Sequence, residues 1–230
     1  MLAFLLALIA AAGVAHTQTY SVINIIGYMY ESDNDPAVVG FPPSDPGDVL
    51  AALGFVDNIS EPLTWSTTDY EYTFVFSDLV SGGMIDLGDG QFRVNYTGGT
   101  VDIIAQAYAD AGYTVPFYGI DPPDPAAIAS FTDGEVYLHG TFTGFTLTYD
   151  TTNHSGSFQG TIQFELGTHF TELGQMLANP DGLTIAGVIG TQADPNIPQG
   201  YDLEVDGSIY YDPTIPNEDR SWGSVKNLYR

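Results

Sequence analysis

The chain has 230 residues, with 29 acidic against four basic ones for a formal net charge of −25, and it contains no cysteine. A field of that sign repels phosphate backbones and anionic lipid surfaces, which argues against nucleic acid or an anionic membrane as a partner. Hydrophobic residues make up 44%, enough for a core that needs no disulfide staple, and no composition break divides the chain.

In chain order, the first element is an unbroken apolar run from Leu2 to Ala15. It is shorter than the roughly 20 residues a bilayer span requires. Gly13 and Ala15 supply a small-x-small cleavage site, so residues 1–15 are expected to be a secretory signal peptide, although no Lys or Arg precedes the run. The mature protein is then expected to be secreted, extracellular or at the cell surface, with no transmembrane segment.

Beyond the leader, period-two alternation dominates. Tyr20 to Tyr30 is apolar on both faces, as a strand covered on both sides would be. Glu31 to Asp48 is a turn-rich connector, and Val49 to Ile59 suits a strand better than a helix. Tyr70, Tyr72, Phe74 and Phe76 share one strand face, and Phe92, Val94 and Tyr96 repeat the pattern. Val101 to Ala105 reads as strand, with a helix-like interruption expected at Gln106 to Ala111. Between Val136 and Tyr149 the apolar phase flips, which requires a bulge or bend at Thr143-Gly144 before a hairpin to Phe158. His169 to Leu177 has helical spacing at Phe170, Leu173 and Leu177. Tyr201, Leu203, Val205 and Ile209 close the series, with Asp202, Glu204 and Asp206 expected on a solvated reverse face. The reading is all-β over residues 16–212, with about nine to ten strands and one or two short helices. It admits an antiparallel β-sandwich of jelly-roll or immunoglobulin-like type, or a partly closed barrel.

Chemistry-bearing patterns are sparse. There is no Gly-x-Ser-x-Gly elbow and no His-Glu-x-x-His, and His139, His154 and His169 stand far apart in sequence. No catalytic residue is therefore nominated. Calcium is the most concrete cofactor: Glu31, Asp33, Asp35, Asp45 and Asp48 place oxygen ligands along one loop, although the same residues also favour turns. Trp65, Tyr108, Tyr113 and Tyr118 are candidates for a sugar-stacking surface. Arg93 is the single basic residue before position 220, and an ion pair on a sheet face is expected for it.

Residues 213–230 read as a linker and a short basic tail in which Trp222, Lys226, Leu228, Tyr229 and Arg230 form a candidate sorting or docking element. The ending, Trp222-Gly223-Ser224-Val225-Lys226-Asn227-Leu228-Tyr229-Arg230, resembles Trp-Gly-x-(Ile/Val)-Lys-x-Leu-Tyr-Arg tails of uncharacterised secreted bacterial proteins. That resemblance implies export and brings no activity with it.

Two functions are compatible with this reading. One is a non-enzymatic binding or structural module of the cell surface, stabilised by calcium, with an extracellular protein, glycan or cell-surface partner. The other is a secreted carbohydrate-active protein, either a glycan-binding module or a carboxylate-based hydrolase.

Overall fold

The structure, a computed structural model, describes residues 20–32, 41–120, 122–178, 182–191 and 197–211. The apolar run at residues 2–15, read above as a signal peptide, and the tail at residues 213–230 lie outside the described residues. Nine strands are present: β1 (Tyr20–Ser32), β2 (Pro46–Ile59), β3 (Tyr70–Gly88), β4 (Gln91–Thr97), β5 (Thr100–Ala107), β6 (Glu135–Asp150), β7 (Ser155–Leu166), β8 (Leu183–Thr191) and β9 (Leu203–Tyr211). One helix, α1 (Pro125–Thr132), and a 3₁₀ segment, Phe170–Ala178, complete the elements.

All strand pairings are antiparallel, neighbours in sequence pair except β4 with β5, and β9 returns to pair with β1, so the sheet closes. The result is a closed eight-strand barrel with one additional strand, because β4 and β5 share a single position in the wall. Both lie between β3 and β6: β4 pairs with one half of each, β5 with the other, in one continuous register interrupted at Gly98-Gly99. Both glycines have positive φ, 70° and 88°, which lets the strand break without leaving the sheet. Of the two architectures left open by the sequence, the barrel is the one formed. A sandwich would leave edge strands, whereas the β1–β9 pairing removes them.

The alternation noted in the sequence sorts side chains between inside and outside. Phe74, Phe76, Leu147, Ile185, Val205 and Ile209 are fully buried in the barrel interior, packed with Phe145 and Phe158. An eight-strand barrel is just narrow enough for side chains to fill it, and each such side chain contributes about 1.5–3 kcal/mol of burial. Outward positions such as Arg93, Asn95, Gln159 and Gln163 are exposed. Among the described residues no helix is long and apolar enough to cross a membrane.

One sector of the outer wall is apolar too, and this explains why β1 and β2 are hydrophobic on both faces. Asp124 caps α1, its Oδ1 accepting from the N–H of Ala126 at 2.9 Å, with Pro125 in the first turn. The helix lays Phe131 against Leu53, Val75 and Phe55. Thr73 Oγ1 donates to the Phe131 carbonyl at 2.7 Å, satisfying an orphan acceptor at the helix C-terminus. The helix therefore falls after the Asp-Pro cap and not at Gln106–Ala111. There Gln106 is still paired with Glu71 in the sheet and the chain then turns. The bulge expected at Thr143-Gly144 is present as a register shift between β6 and β7.

Candidate functional site

The two rims of the barrel differ in chemistry. At the first rim, where β1 ends and β2 begins, the inward alternation of Ile25, Gly27 and Met29 continues to Glu31, and that of Leu50 and Ala52 runs back to Asp48. Both carboxylates are thereby carried into the interior: Glu31 is 8% exposed and Asp48 3%. Ser81 of β3 and Tyr96 of β4, directly opposite one another in register, face the same space.

A directional hydrogen-bond chain runs through this cluster. The N–H of Gly83 donates to Ser81 Oγ at 2.9 Å, the hydroxyls of Ser81 and Ser44 lie 2.7 Å apart, and Ser44 donates to Glu31 Oε1 at 2.8 Å. Glu31 Oε2 and the Tyr96 hydroxyl are both buried and adjacent, but their geometry falls short of a full hydrogen bond. Burial pushes the Glu31 carboxyl up to about 8; the Ser44 hydrogen bond and the nearby Tyr96 hydroxyl oppose the rise, and the nearby charges of Asp48 and Asp202 add to it. Burial likewise drives the Tyr96 phenol well above its usual value.

Three of the five residues read as calcium ligands are thus placed. Glu31 and Asp48 face inward, Asp45 is exposed, and the N–H of Asp45 donates to Asp48 Oδ2 at 2.7 Å. Asp33 and Asp35 lie outside the described residues. Among the described residues no group of three or more His, Asp or Glu side chains is arranged to hold a metal ion. Asp202 departs from its expected solvated position: it is 5% exposed, and its carboxylate accepts from the N–H groups of Glu31 (2.9 Å) and Phe41 (3.2 Å). It precedes β9 instead of lying in it, so strand alternation does not apply to its side chain.

The second rim carries the aromatic candidates, and the structure separates them. Tyr118 is part of the helix-covered outer cluster, 4.6 Å from Tyr28 and 5.1 Å from Phe131 between ring centroids. Tyr108 and Tyr113 pair at 5.4 Å, and the Tyr113 hydroxyl donates to Glu71 Oε2 at 3.0 Å. Trp65 lines a cleft of about 200 Å³, which it shares with Tyr70, Tyr72, Glu135 and His169. Three side chains fix the Trp65 loop over the rim. The Tyr137 hydroxyl donates to the Thr64 carbonyl (2.8 Å), Tyr72 accepts from the Ser66 N–H (3.1 Å) and Glu172 accepts from the Thr64 N–H (2.7 Å). His169 stacks on Tyr137 at 4.2 Å, and its Nδ1 lies 3.0 Å from Glu172 Oε1, off the line of a good hydrogen bond.

On the outer wall, His139 Nδ1 lies 2.6 Å from Asp102 Oδ1, a pair set by direct register between β5 and β6. Among the described residues no serine or threonine hydroxyl hydrogen-bonds to His139 or His169, so the base-and-carboxylate half of a triad is not joined to a nucleophile. Arg93 makes no ion pair among the described residues, contrary to expectation. Its neighbours across β3 and β6 are Ile85 and Thr148, neither of which is acidic.

No family model, no curated protein and no solved structure matches the chain.

Proposed function

We propose that this chain is an exported, non-enzymatic binding or structural module of the cell surface or extracellular space. The observation that supports this reading is the packing of the barrel interior. Phe74, Phe76, Phe145 and Phe158, each at most 2% exposed, fill the space in which a carrier barrel of this size would hold its ligand. Recognition then falls to the rims and the wall. Export rests on the apolar leader, and the tail residues Trp222, Lys226, Leu228, Tyr229 and Arg230 are proposed as the docking element.

Calcium enters this proposal through the loop carboxylates Glu31, Asp33, Asp35, Asp45 and Asp48. Melting of the mature protein in chelator and in millimolar calcium tests this part. A rise with calcium that Asp33→Ala with Asp35→Ala abolishes supports it, and equal melting in both conditions removes it.

The carbohydrate-active alternative is favoured by one observation, the cleft that brings Trp65 and Tyr70 beside Glu135. Turnover across a polysaccharide panel, lost on a single Asp or Glu substitution, would overturn the non-enzymatic reading.

A further inference from the structure

We infer that the cleft beneath Trp65 binds a small organic cation of the quaternary or tertiary ammonium class; this deepens the binding-module reading and rests on it. The cleft arises from one row of the sheet. Tyr72 of β3, Ala105 of β5 and Glu135 of β6 are direct register partners across three adjacent strands. The small central side chain leaves a gap flanked by a phenol ring on one side and a carboxylate on the other. Trp65 and Tyr70 add two more rings: Trp65 lies 6.0 Å and Tyr70 6.2 Å from Tyr72 between centroids.

Three features select the ligand class. The rings converge on a concavity of about 200 Å³, below the roughly 300 Å³ usual for drug-sized ligands, which suits a compact head group. No Lys or Arg lines it, while Glu135 does, and Glu172 stands behind His169. Aromatic faces beside a carboxylate attract a cation through the ring quadrupole and through charge together, and alkylated ammonium gains most because it is weakly hydrated. The Trp65 loop is held by the Tyr72 and Tyr137 hydroxyls and Glu172, so little ordering is left to be done on binding. A neutral sugar would use the rings but not the charge.

The test titrates the full mature chain with choline and with 3,3-dimethylbutan-1-ol, its neutral isostere, following intrinsic tryptophan fluorescence and calorimetry. The expected result is saturable choline binding at least about tenfold tighter than the isostere, a difference of about 1.4 kcal/mol. Tyr70→Ala, at a position 39% exposed, should weaken choline by about tenfold while leaving the fold intact, and Glu135→Gln should weaken it severalfold with loss of its salt dependence. Phosphatidylcholine vesicles run alongside distinguish a lipid head group from a free solute. Equal affinity for choline and its isostere, or no binding of choline at millimolar concentration, overturns the inference. Binding of a neutral oligosaccharide in its place would overturn it while leaving the module reading standing; turnover of such a ligand would remove the module reading as well.

Discussion

Asp202 accepts a hydrogen bond from the backbone N–H of Glu31 at 2.9 Å and another from that of Phe41 at 3.2 Å, joining the approach to β9, the end of β1 and the loop between β1 and β2. Its own N–H donates to the Met29 carbonyl. One carboxylate thus fastens three chain segments at the rim where the interior would otherwise open. Asp202→Ala leaves two N–H groups without that acceptor and should cost about 3 kcal/mol in urea unfolding. Asp202→Asn keeps one good acceptor and should cost less. Asp206→Ala, at an exposed position of β9, should fall within about 0.5 kcal/mol of the parent. An Asp202→Ala effect as small as that of Asp206→Ala would mean water replaces the carboxylate without loss.

Glu31 makes stability depend on pH in a defined direction. Its carboxyl keeps its proton up to about 8 in the folded state and loses it near 4.5 when unfolded. The folded form therefore holds the extra proton between those values, and stability is full below the lower one and declines as pH rises toward the upper. The slope is at most about 1.4 kcal/mol per pH unit for one proton. Hydrogen bonds that hold Asp150 below its ordinary value act with the opposite sign at lower pH, outside this window. Glu31→Gln should flatten the profile from pH 5 to 8 and raise stability at its alkaline end, read by chemical denaturation at each pH. A profile in the variant as steep as in the parent would place the titrating group elsewhere.

The fold was legible wherever alternation was clean. Tyr72, Phe74, Phe76, Phe92, Val94 and Tyr96 lie inside as their spacing requires, and the phase flip at Thr143-Gly144 is a bulge. Closure was not legible, because the β1–β9 pairing joins residues some 180 positions apart and leaves no local pattern. The candidate sites were legible in part. Glu31 and Asp48 stood out as loop carboxylates, but their inward direction follows from strand phase and not from residue type. Ser44, Ser81 and Tyr96 carry no motif and become a cluster only when the barrel closes. Trp65 was visible by its rarity, while Glu135 and Ala105 become its neighbours only through register.

Two facing glycine pairs in the wall leave no room for a Cβ, and their substitution should be costly. Gly27 faces Gly54 across β1 and β2, and Gly187 faces Gly207 across β8 and β9. The Phe74 ring lies against Gly54 of the first pair, and the Phe158 ring against both glycines of the second. A Cβ on Gly54 would stand 2.3 Å from the Ile26 carbonyl oxygen and 2.7 Å from the Phe74 ring, so backbone has to move. Gly54→Ala should destabilise by about 3 kcal/mol. Adding Phe74→Leu relieves the ring contact but not the backbone one, and should restore only part of the loss. Complete rescue would show that the ring alone excludes the methyl group.

Charge should make the protein more stable in salt. His139–Asp102 and His169–Glu172 are histidine–carboxylate pairs, and the cross-strand neighbours of Arg93 are not acidic. At −25 overall, repulsion between carboxylates far outweighs attraction. Salt at about 1 M shortens the screening length to about 3 Å, below the spacing of most surface charges, and so removes mainly a destabilising term. The melting temperature should rise by about 5 °C between low and molar sodium chloride, with potassium chloride giving the same result. The histidine pairs weaken in salt too, but each is a partly exposed contact worth at most about 1 kcal/mol. A melting temperature that stays level through the series would mean that the carboxylates are already neutralised. The rise should then be sought on adding calcium to a chelated sample, with Asp33 and Asp35 as the first residues to change.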